Sequence, residues 1–344
     1  MVSVFFMIKL LMSEKQGQLV NADFKYFSST LKKRKIGDNI AKNVFDTILG
    51  GKAMKISAET NYLRRVFGDE GAIKIIADAG FDCVDYTMDH MVDDSSPLNA
   101  PDYREFAKHL REYGEGLGIS FNQAHAPFEF DWSADGVLEL AEERVIRALE
   151  IASILGADTV TVHPLHYKQY FHNMDEIWDD NISYYNRLLP YARKYNVRIA
   201  LENLFQFDSR GVAVYDTCSD PKRYVKALDT LNDSHIVACV DVGHVHLLGE
   251  DPADLIRALG HERLHALHIH DNNAVVDDHT LPYLGGINWD SVTKALADID
   301  YDGVFTFESF LFYKNFDKDF IPTAAKWVHD MGEYLTGKIE GYRK

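Results

Sequence analysis

Short runs of apolar and β-branched residues recur along the chain from residue 54 onward. Each run has the length and composition of one buried strand, and a longer segment with helical spacing separates it from the next. The predicted strands cover residues 54–60, 81–88, 119–126, 158–164, 197–203, 235–242, 264–271 and 302–309.

The segments between the strands carry apolar residues at helical spacing. In the segment 136–155, for example, Val137, Leu140, Val145 and Ala148 recur at the spacing of one helix face. Further helices are predicted over 69–79, 103–116, 221–231 and 288–298. Glycines that suit helix C-termini follow three of these helices, at Gly80, Gly118 and Gly156.

Strands that alternate with helices indicate βαβ units and a parallel sheet. Eight such units within residues 54–344 predict an α/β fold with a single (β/α)8 TIM barrel, in which outer helices surround a parallel eight-stranded barrel. A doubly wound open sheet is the competing architecture, and it usually has a glycine-rich turn after its first strand. The first strand here ends in Glu59, Thr60, Asn61 and Tyr62, which disfavours that alternative.

Residues 1–53 differ from the rest of the chain, because they carry nine Lys or Arg and only four Asp or Glu. We interpret this segment as a basic N-terminal extension. It is either disordered or an over-called start, that is, a translation start assigned upstream of the natural one. The segment Gly50-Gly51-Lys52-Ala53 can be encoded by a purine-rich ribosome-binding sequence, which favours Met54 as the natural start. The alternative is a genuine basic, mobile arm.

Composition restricts the function classes. The formal net charge of −17 repels a phosphate backbone, so no nucleic-acid partner is expected. The three cysteines have unrelated spacings and form no disulfide framework, which favours a cytoplasmic location. The apolar run near the N-terminus is interrupted by Lys9 and is too short to span a bilayer, so no membrane association is expected.

Six successive predicted strands end in residue types that bind metal ions. Because the ends of parallel strands meet at one mouth of a barrel, these side chains should converge. Several carboxylates that lie close together repel each other unless a cation or protons neutralise them, so the pattern predicts one divalent cation. The strand-end residues are His125, His163, Glu202, Asp241, His270 and Glu308.

Several segments resemble the xylose isomerase-like TIM barrel superfamily, which includes sugar phosphate isomerases and epimerases. The segments are AHAPF (124–128), VHP (162–164), ALENL (200–204), VDVGH (240–244), LHIHDN (267–272), DDHTLPYLGGINW (277–289) and FTFES (305–309). The resemblance implies a metal-dependent isomerase or epimerase that acts on a small sugar or polyol-type hydroxy-carbonyl compound through a metal-stabilised enediolate.

The resemblance also implies roles for individual residues. Glu202 and Glu308 are predicted to be the catalytic acid and base, and the metal ligands are predicted to be Glu202, Asp241, His270 and Glu308. The favoured ion is Mn²⁺, with Mg²⁺, Co²⁺ or Zn²⁺ as alternatives. Substrate-binding residues are predicted at His125, His163, His244 and His279. Aromatic residues near the mouth, among them Tyr62, Phe128 and Trp132, are candidates to pack on the sugar or simply to fill the rim.

Three alternatives use the same residues. An inosose-type dehydratase or a C-glycoside-cleaving lyase fits the same site. An endonuclease IV-like zinc phosphodiesterase at abasic DNA fits the ligand types, with Asp277 as a further ligand, but the acidic charge disfavours it. The known ketose 3-epimerases carry an Arg shortly after the seventh-strand His, and this chain has none in the eight residues after His270, which argues against a free ketose as substrate. A homo-oligomer is possible for such barrels.

Overall fold

The computed structural model describes residues 54–343, so the predicted extension 1–53 lies outside the described residues. Strand formation follows the apolar runs of the sequence closely. In chain order the strands are β1 Ile56–Glu59, β2 Cys83–Thr87, β3 Ser120–His125, β4 Thr159–Val162, β5 Arg198–Glu202, β6 Phe205–Phe207, β7 Ala213–Tyr215, β8 Ile236–Asp241, β9 Leu264–His268 and β10 Phe305–Phe307.

Eight of these strands form one parallel sheet in the order β10-β1-β2-β3-β4-β5-β8-β9. The two ends of this sheet meet just beyond β9, where the amide of Ile269 donates to the carbonyl of Thr306 at 2.9 Å. The amide of Glu308 donates in turn to the carbonyl of Ile269 at 3.1 Å. The predicted (β/α)8 barrel is therefore confirmed, and β6 and β7 form a separate antiparallel hairpin beside it.

Helices follow the barrel strands and cover the outside of the sheet. They are α1 Asn61–Ala79, α2 Tyr103–Leu117, α3 Val137–Leu155, α4 Tyr170–Tyr195, α5 Pro221–Leu231, α6 Val242–Leu247, α7 Pro252–Leu259, α8 Trp289–Asp298 and α9 Ile321–Tyr342. The helix predicted to begin at residue 69 in fact begins at Asn61, with an interruption at Gly68, whose φ of 74° is not helical. The three glycines predicted at helix ends all adopt the left-handed conformation that suits a helix C-cap.

The alternation of side chains along each strand separates two environments. Leu201 and Val240 belong to the large apolar core cluster that includes the helix residues. The small side chains of Ala200, Cys239 and Ala266 belong to a second, separate cluster. Because side chains two residues apart share a face, this second cluster lies beneath the residues that end the same strands. The layer beneath the strand ends is therefore apolar at β5, β8 and β9. At the other strands this layer is polar, and it includes Asp85, Gln123 and Thr161.

Among the described residues, no helix is both long and apolar enough to cross a membrane.

Candidate functional site

All eight residues predicted for the site lie at the same mouth of the barrel, at or just beyond the C-terminal ends of the strands. Seven of them are buried, and His163 is half-buried. The structure divides them between adjoining groups whose donor atoms lie within 4.8 Å of one another. One group contains Glu202, Asp241 and Glu308 together with His268. Another contains His244, His270, Asp277 and His279.

Glu202 stands at the centre of the first group and contacts histidines on both sides. Its Oε1 lies 2.9 Å from Nδ1 of His268, and its Oε2 lies 2.8 Å from Nε2 of His163. The Nε2 atoms of His163 and His125 are 2.9 Å apart. Nδ1 of His125 also lies 3.6 Å from Oε1 of Glu308. His125 therefore bridges the two glutamates that the sequence analysis assigned to acid–base work.

His270 lies beside Asp241 rather than beside the glutamates. Its Nε2 is 2.9 Å from both carboxylate oxygens of Asp241. The ring fits there because residue 243 is a glycine: a Cβ at Gly243 would lie 2.0 Å from Cε1 of His270. The structure thus brings His270 to Asp241, whereas the histidine grouped with all three acids is His268.

The second group is held together through Asp277. Its Oδ2 lies 2.7 Å from Nε2 of His279 and 3.6 Å from Nε2 of His244. The His279 ring stacks on the His270 ring with a centroid distance of 3.8 Å and an interplanar angle of 15°. Nδ1 of His244 lies 2.9 Å from the carbonyl oxygen of Asn203. His244 also lies close to the first group, with 3.6 Å between its Nδ1 and Oε1 of Glu202 and 3.9 Å between its Nε2 and Oδ2 of Asp241.

The two glutamates have opposite electrostatic environments. Burial opposes ionisation of Glu202, but the facing His268 and His163 hold its pKa well below the usual range. Burial, reinforced by the charges of Glu202 and Asp241, raises the pKa of Glu308 well above the usual range although His268 opposes this shift. The surroundings of the two buried carboxyl groups therefore shift their pKa values in opposite directions.

The pKa values of His125 and His244 are also shifted in opposite directions. Burial lowers the pKa of His125 well below the usual range, and the neighbouring His163 adds to that shift. Burial has the same tendency at His244, but Asp241 and Asp277 outweigh it and raise its pKa to about 10. His125 is thus a neutral hydrogen-bonding group, whereas His244 is a cation that partly neutralises the surrounding acids.

Several polar atoms of the site are buried and make no hydrogen bond within the described part of the chain. They include Nδ1 of His270, Oδ1 of Asp277 and Oε2 of Glu308. Buried polar atoms without partners are unusual in folded proteins. Oxygen and imidazole donors of this kind fit a divalent cation such as Mn²⁺, Mg²⁺, Co²⁺ or Zn²⁺.

The strand-end analysis missed three further buried polar residues. His268 is two residues before His270, and the alternation of β-strand side chains places both on the same face. Glu59 ends β1 and accepts a hydrogen bond from the hydroxyl of Thr87, and burial raises its pKa to about 8. Asp85 accepts a hydrogen bond from Nε2 of Gln123 at 2.8 Å. The same alternation of side chains, applied to the first two strands, would have predicted that Glu59 and Asp85 face the inside of the barrel.

The sequence profile of the xylose isomerase-like TIM barrel family matches residues 73–331, which is most of the chain. The chain belongs to the xylose isomerase-like TIM barrel family. The resemblance stated from its strand-end motifs is thereby confirmed.

Two relatives illustrate its place in the xylose isomerase-like family. An uncharacterized protein of Methanocaldococcus jannaschii is 30% identical over 217 residues, which cover 61% of this chain and 69% of the relative. The D-psicose 3-epimerase of Enterocloster bolteae is 25% identical over 216 residues, which cover 59% of this chain and 65% of that enzyme.

Solved structures support the same fold. A D-tagatose 3-epimerase-like protein superposes with a TM-score of 0.64 at 23% identity, covering 83% of this chain and 100% of that protein. The 3-keto-D-glucoside 4-epimerase of E. coli superposes with a TM-score of 0.61 at 15% identity, covering 83% and 99%. At these identities the similarity concerns the fold.

Proposed function

We propose that this chain is a divalent-metal-dependent isomerase or epimerase that acts on a small sugar or polyol-type hydroxy-carbonyl compound. One observation carries the proposal: Glu202, Asp241 and Glu308 offer oxygen atoms that lie within 4.8 Å of one another and of a histidine nitrogen. Three buried carboxylates at this separation repel each other unless cations or protons neutralise them. Two similar proteins, a D-psicose 3-epimerase and a 3-keto-D-glucoside 4-epimerase, support the same reaction class.

The residues that would hold the cation are Glu202, Asp241, Glu308 and one imidazole. We favour His270 over His268 for the imidazole, because its Nδ1 has no hydrogen-bond partner and its Nε2 contacts both oxygens of Asp241. A divalent cation, when bound, supplies Lewis-acid polarisation of neighbouring carbonyl and hydroxyl oxygens. Mn²⁺ is our first choice among the ions that suit this donor set.

The proton transfers are assigned to the two glutamates. One glutamate removes the proton from the carbon next to the substrate carbonyl, and the other returns a proton at the neighbouring carbon or on the opposite face. His125 contacts both carboxyl groups and is held neutral by burial, so it hydrogen-bonds a substrate hydroxyl without adding charge. His163, His244 and His279 line the remaining sides and bind further hydroxyls.

Solvent deuterium exchange tests this proposal. Ketoses, inososes and their phosphates are incubated with the Mn²⁺-loaded protein in D₂O, and incorporation of deuterium at carbon is measured by NMR. We expect exchange with at least one compound, and a loss of at least about 100-fold in Glu202→Gln. The exposed Glu139 provides the matched control, because Glu139→Gln on α3 leaves the site untouched. Normal exchange in Glu202→Gln would contradict the mechanism.

A specific observation also supports a second candidate, a zinc phosphodiesterase similar to endonuclease IV. Besides the two groups described above, His125, His163 and Glu202 form a further set of donor atoms within 4.8 Å of one another. Three metal ions per chain would fit these groups. Against this candidate, residues 54–344 carry 27 basic and 49 acidic residues, a net charge of −22 that repels DNA.

Metal counting separates the two candidates. Elemental mass spectrometry is expected to find about one divalent ion per chain if the site is of the isomerase type. About three zinc ions per chain, with cleavage of an abasic oligonucleotide, would favour the phosphodiesterase.

An inosose-type dehydratase or a C-glycoside-cleaving lyase would use the same first proton transfer and differ in the group that leaves. Product analysis distinguishes them, because elimination yields a conjugated carbonyl compound that absorbs in the ultraviolet. A cytoplasmic location and a homo-oligomeric state stay predictions from the sequence.

A further inference from the structure

A buried asparagine, Asn203, joins two strands that carry acids of the proposed site. It directly follows Glu202, the last residue of β5. Its Nδ2 donates to the carbonyl oxygen of Asp241 at 2.9 Å, and its Oδ1 accepts from the amide of Asp241 at 2.9 Å. Both ends of this side-chain amide are therefore bonded to the backbone of one proposed metal ligand.

This pair of hydrogen bonds extends the sheet beyond the end of its backbone ladder. The ladder between β5 and β8 ends at Glu202, which pairs with Cys239. Asp241 lies two residues further along β8, where β5 has no residue left to pair with it. Asp241 is fully buried, and buried backbone groups without partners are costly. The side chain of Asn203 supplies both partners that β5 does not.

The backbone of Asn203 also orients a second residue of the site. Its carbonyl oxygen lies 2.9 Å from Nδ1 of His244. Because a carbonyl oxygen can only accept, this ring nitrogen carries a proton. The other ring nitrogen, Nε2, lies 3.9 Å from Oδ2 of Asp241 and 3.6 Å from Oδ2 of Asp277. One residue thus contacts a proposed metal ligand and a proposed substrate-binding histidine.

The carboxylate of Asp241 depends on where its backbone lies. Its Oδ1 accepts from the amide of His244 at 2.7 Å, and both of its oxygens lie 2.9 Å from Nε2 of His270. A shift of the Asp241 backbone would therefore lengthen several contacts of the site at once. Groups that hydrogen-bond to metal ligands commonly change metal affinity by about 10- to 100-fold when they are removed.

We propose that Asn203 is a positioning residue that fixes the separation between Glu202 and Asp241 and thereby sets the affinity of the site for its divalent cation. This inference rests on the proposed function, because it assumes that these two acids hold the cation. Asn203 acts through Asp241 rather than as a further ligand, since both ends of its side-chain amide are already bonded.

Asn181 offers a matched control, because it makes the same pair of hydrogen bonds elsewhere in the barrel. It is buried on α4, where its Oδ1 accepts from the amide of Leu165 at 2.7 Å and its Nδ2 donates to the carbonyl of Leu165 at 3.0 Å. Leu165 is not a proposed ligand. Asn203→Ala and Asn181→Ala each leave a buried amide and carbonyl without these partners, so both should lower Tm by comparable amounts.

Titration of the full chain with Mn²⁺, followed by electron paramagnetic resonance, compares the variants without any turnover. Asn203→Ala should weaken Mn²⁺ binding by at least about tenfold and change the line shape of the bound ion. Asn181→Ala should leave both properties as in the wild type. Asn203→Ser is the milder variant, because its hydroxyl can replace one of the two lost partners, and it should change both properties in the same direction if Asn203→Ala does not fold.

Wild-type Mn²⁺ affinity in the Asn203 variants would overturn the positioning role. An equal loss of affinity in Asn181→Ala would also overturn it, because the loss would then be a general effect of destabilisation. Either result leaves the proposed function standing. A wild-type chain that binds no divalent cation would instead contradict the proposed function and this inference together.

Discussion

Nδ1 of His268, the last residue of β9, lies 2.9 Å from Oε1 of Glu202, the last residue of β5. The other ring nitrogen of His268 lies 3.0 Å from Nε2 of Gln123, so both nitrogens have partners. His270 differs, because its Nδ1 makes no hydrogen bond within the described chain. This contrast gives the two histidines different expected roles: His268 positions Glu202, and His270 is available to a cation.

Removing each histidine in turn distinguishes these roles. His270→Ala is expected to lower the affinity for Mn²⁺ by at least about tenfold, because a ligand is lost. His268→Ala should retain most of the bound metal and mainly destabilise the fold, since Glu202 and Gln123 each lose one buried partner. Metal titration and thermal unfolding of both variants measure this. Loss of metal in His268→Ala alone would assign the ligand to His268 instead.

Gly243 controls the position of His270. A Cβ on this residue would lie 2.0 Å from Cε1 and 2.5 Å from Nδ1 of the ring. Gly243→Ala should therefore displace the ring from Asp241, weaken metal binding by about tenfold or more and cost about 1–3 kcal/mol of stability. The matched control is Gly337→Ala on α9, where a Cβ would meet nothing within 4 Å. That change should stabilise the helix by about 0.5–1 kcal/mol and leave metal binding unaltered.

Removal of the metal should destabilise the protein. Glu202, Asp241 and Glu308 are buried close together, and a bound cation relieves their mutual repulsion. At a free Mn²⁺ concentration of 100 times Kd, binding adds about 2.7 kcal/mol, which corresponds to a rise of roughly 4–5 °C in Tm. Differential scanning calorimetry with and without a chelator measures this shift. Asp241→Ala should show no such rise, and an equal rise in this variant would place the cation elsewhere.

Asp216, which lies outside the proposed metal site, is expected to make the stability of the protein depend on pH. It follows β7 and is fully buried, and burial raises its pKa to about 7 although Thr217 lowers it. The unfolded chain, with a carboxyl pKa of about 3.9, loses this proton first as the pH rises. Wild-type stability contributed by the protonated form is therefore present below about pH 4 and is lost as the pH approaches 7.

Asp216→Asn removes this dependence, because the amide has no proton to lose and its oxygen can still accept from the Thr217 amide. The difference in Tm between variant and wild type should increase by at least about 2–4 °C between pH 4.5 and pH 7.5. Asp175→Asn on the exposed face of α4 serves as the control. A constant difference across this pH range would show that Asp216 is ionised in the folded protein.

Much of the barrel could be predicted from one-dimensional pattern alone. Each predicted strand overlaps an observed one, because a buried strand requires a short apolar run whatever surrounds it. The N-terminal part of α1 was missed, because Gly68 interrupts its helical periodicity. The positions of Glu202 and Asp241 could also be predicted, since each is the last residue of its strand.

The partners of those residues could not be predicted. His268 and Glu202 are 66 positions apart in the chain, and only the register between β5, β8 and β9 brings them together. The same holds for the packing of Phe128 on His163, because these residues belong to loops after different strands. Sequence spacing reports which face of a strand a residue occupies, but not which residue lies opposite.

The sequence by itself determined the number of βα units, the order of the strand-end acids and histidines, and membership in the xylose isomerase-like family. These properties are local, because they depend on the length, composition and period of single segments. Only the tertiary structure decided that His268 pairs with Glu202, that His270 occupies the space left by Gly243, and that the Phe128 ring packs on His163. These properties depend on barrel closure, which sets distances between atoms far apart in the chain.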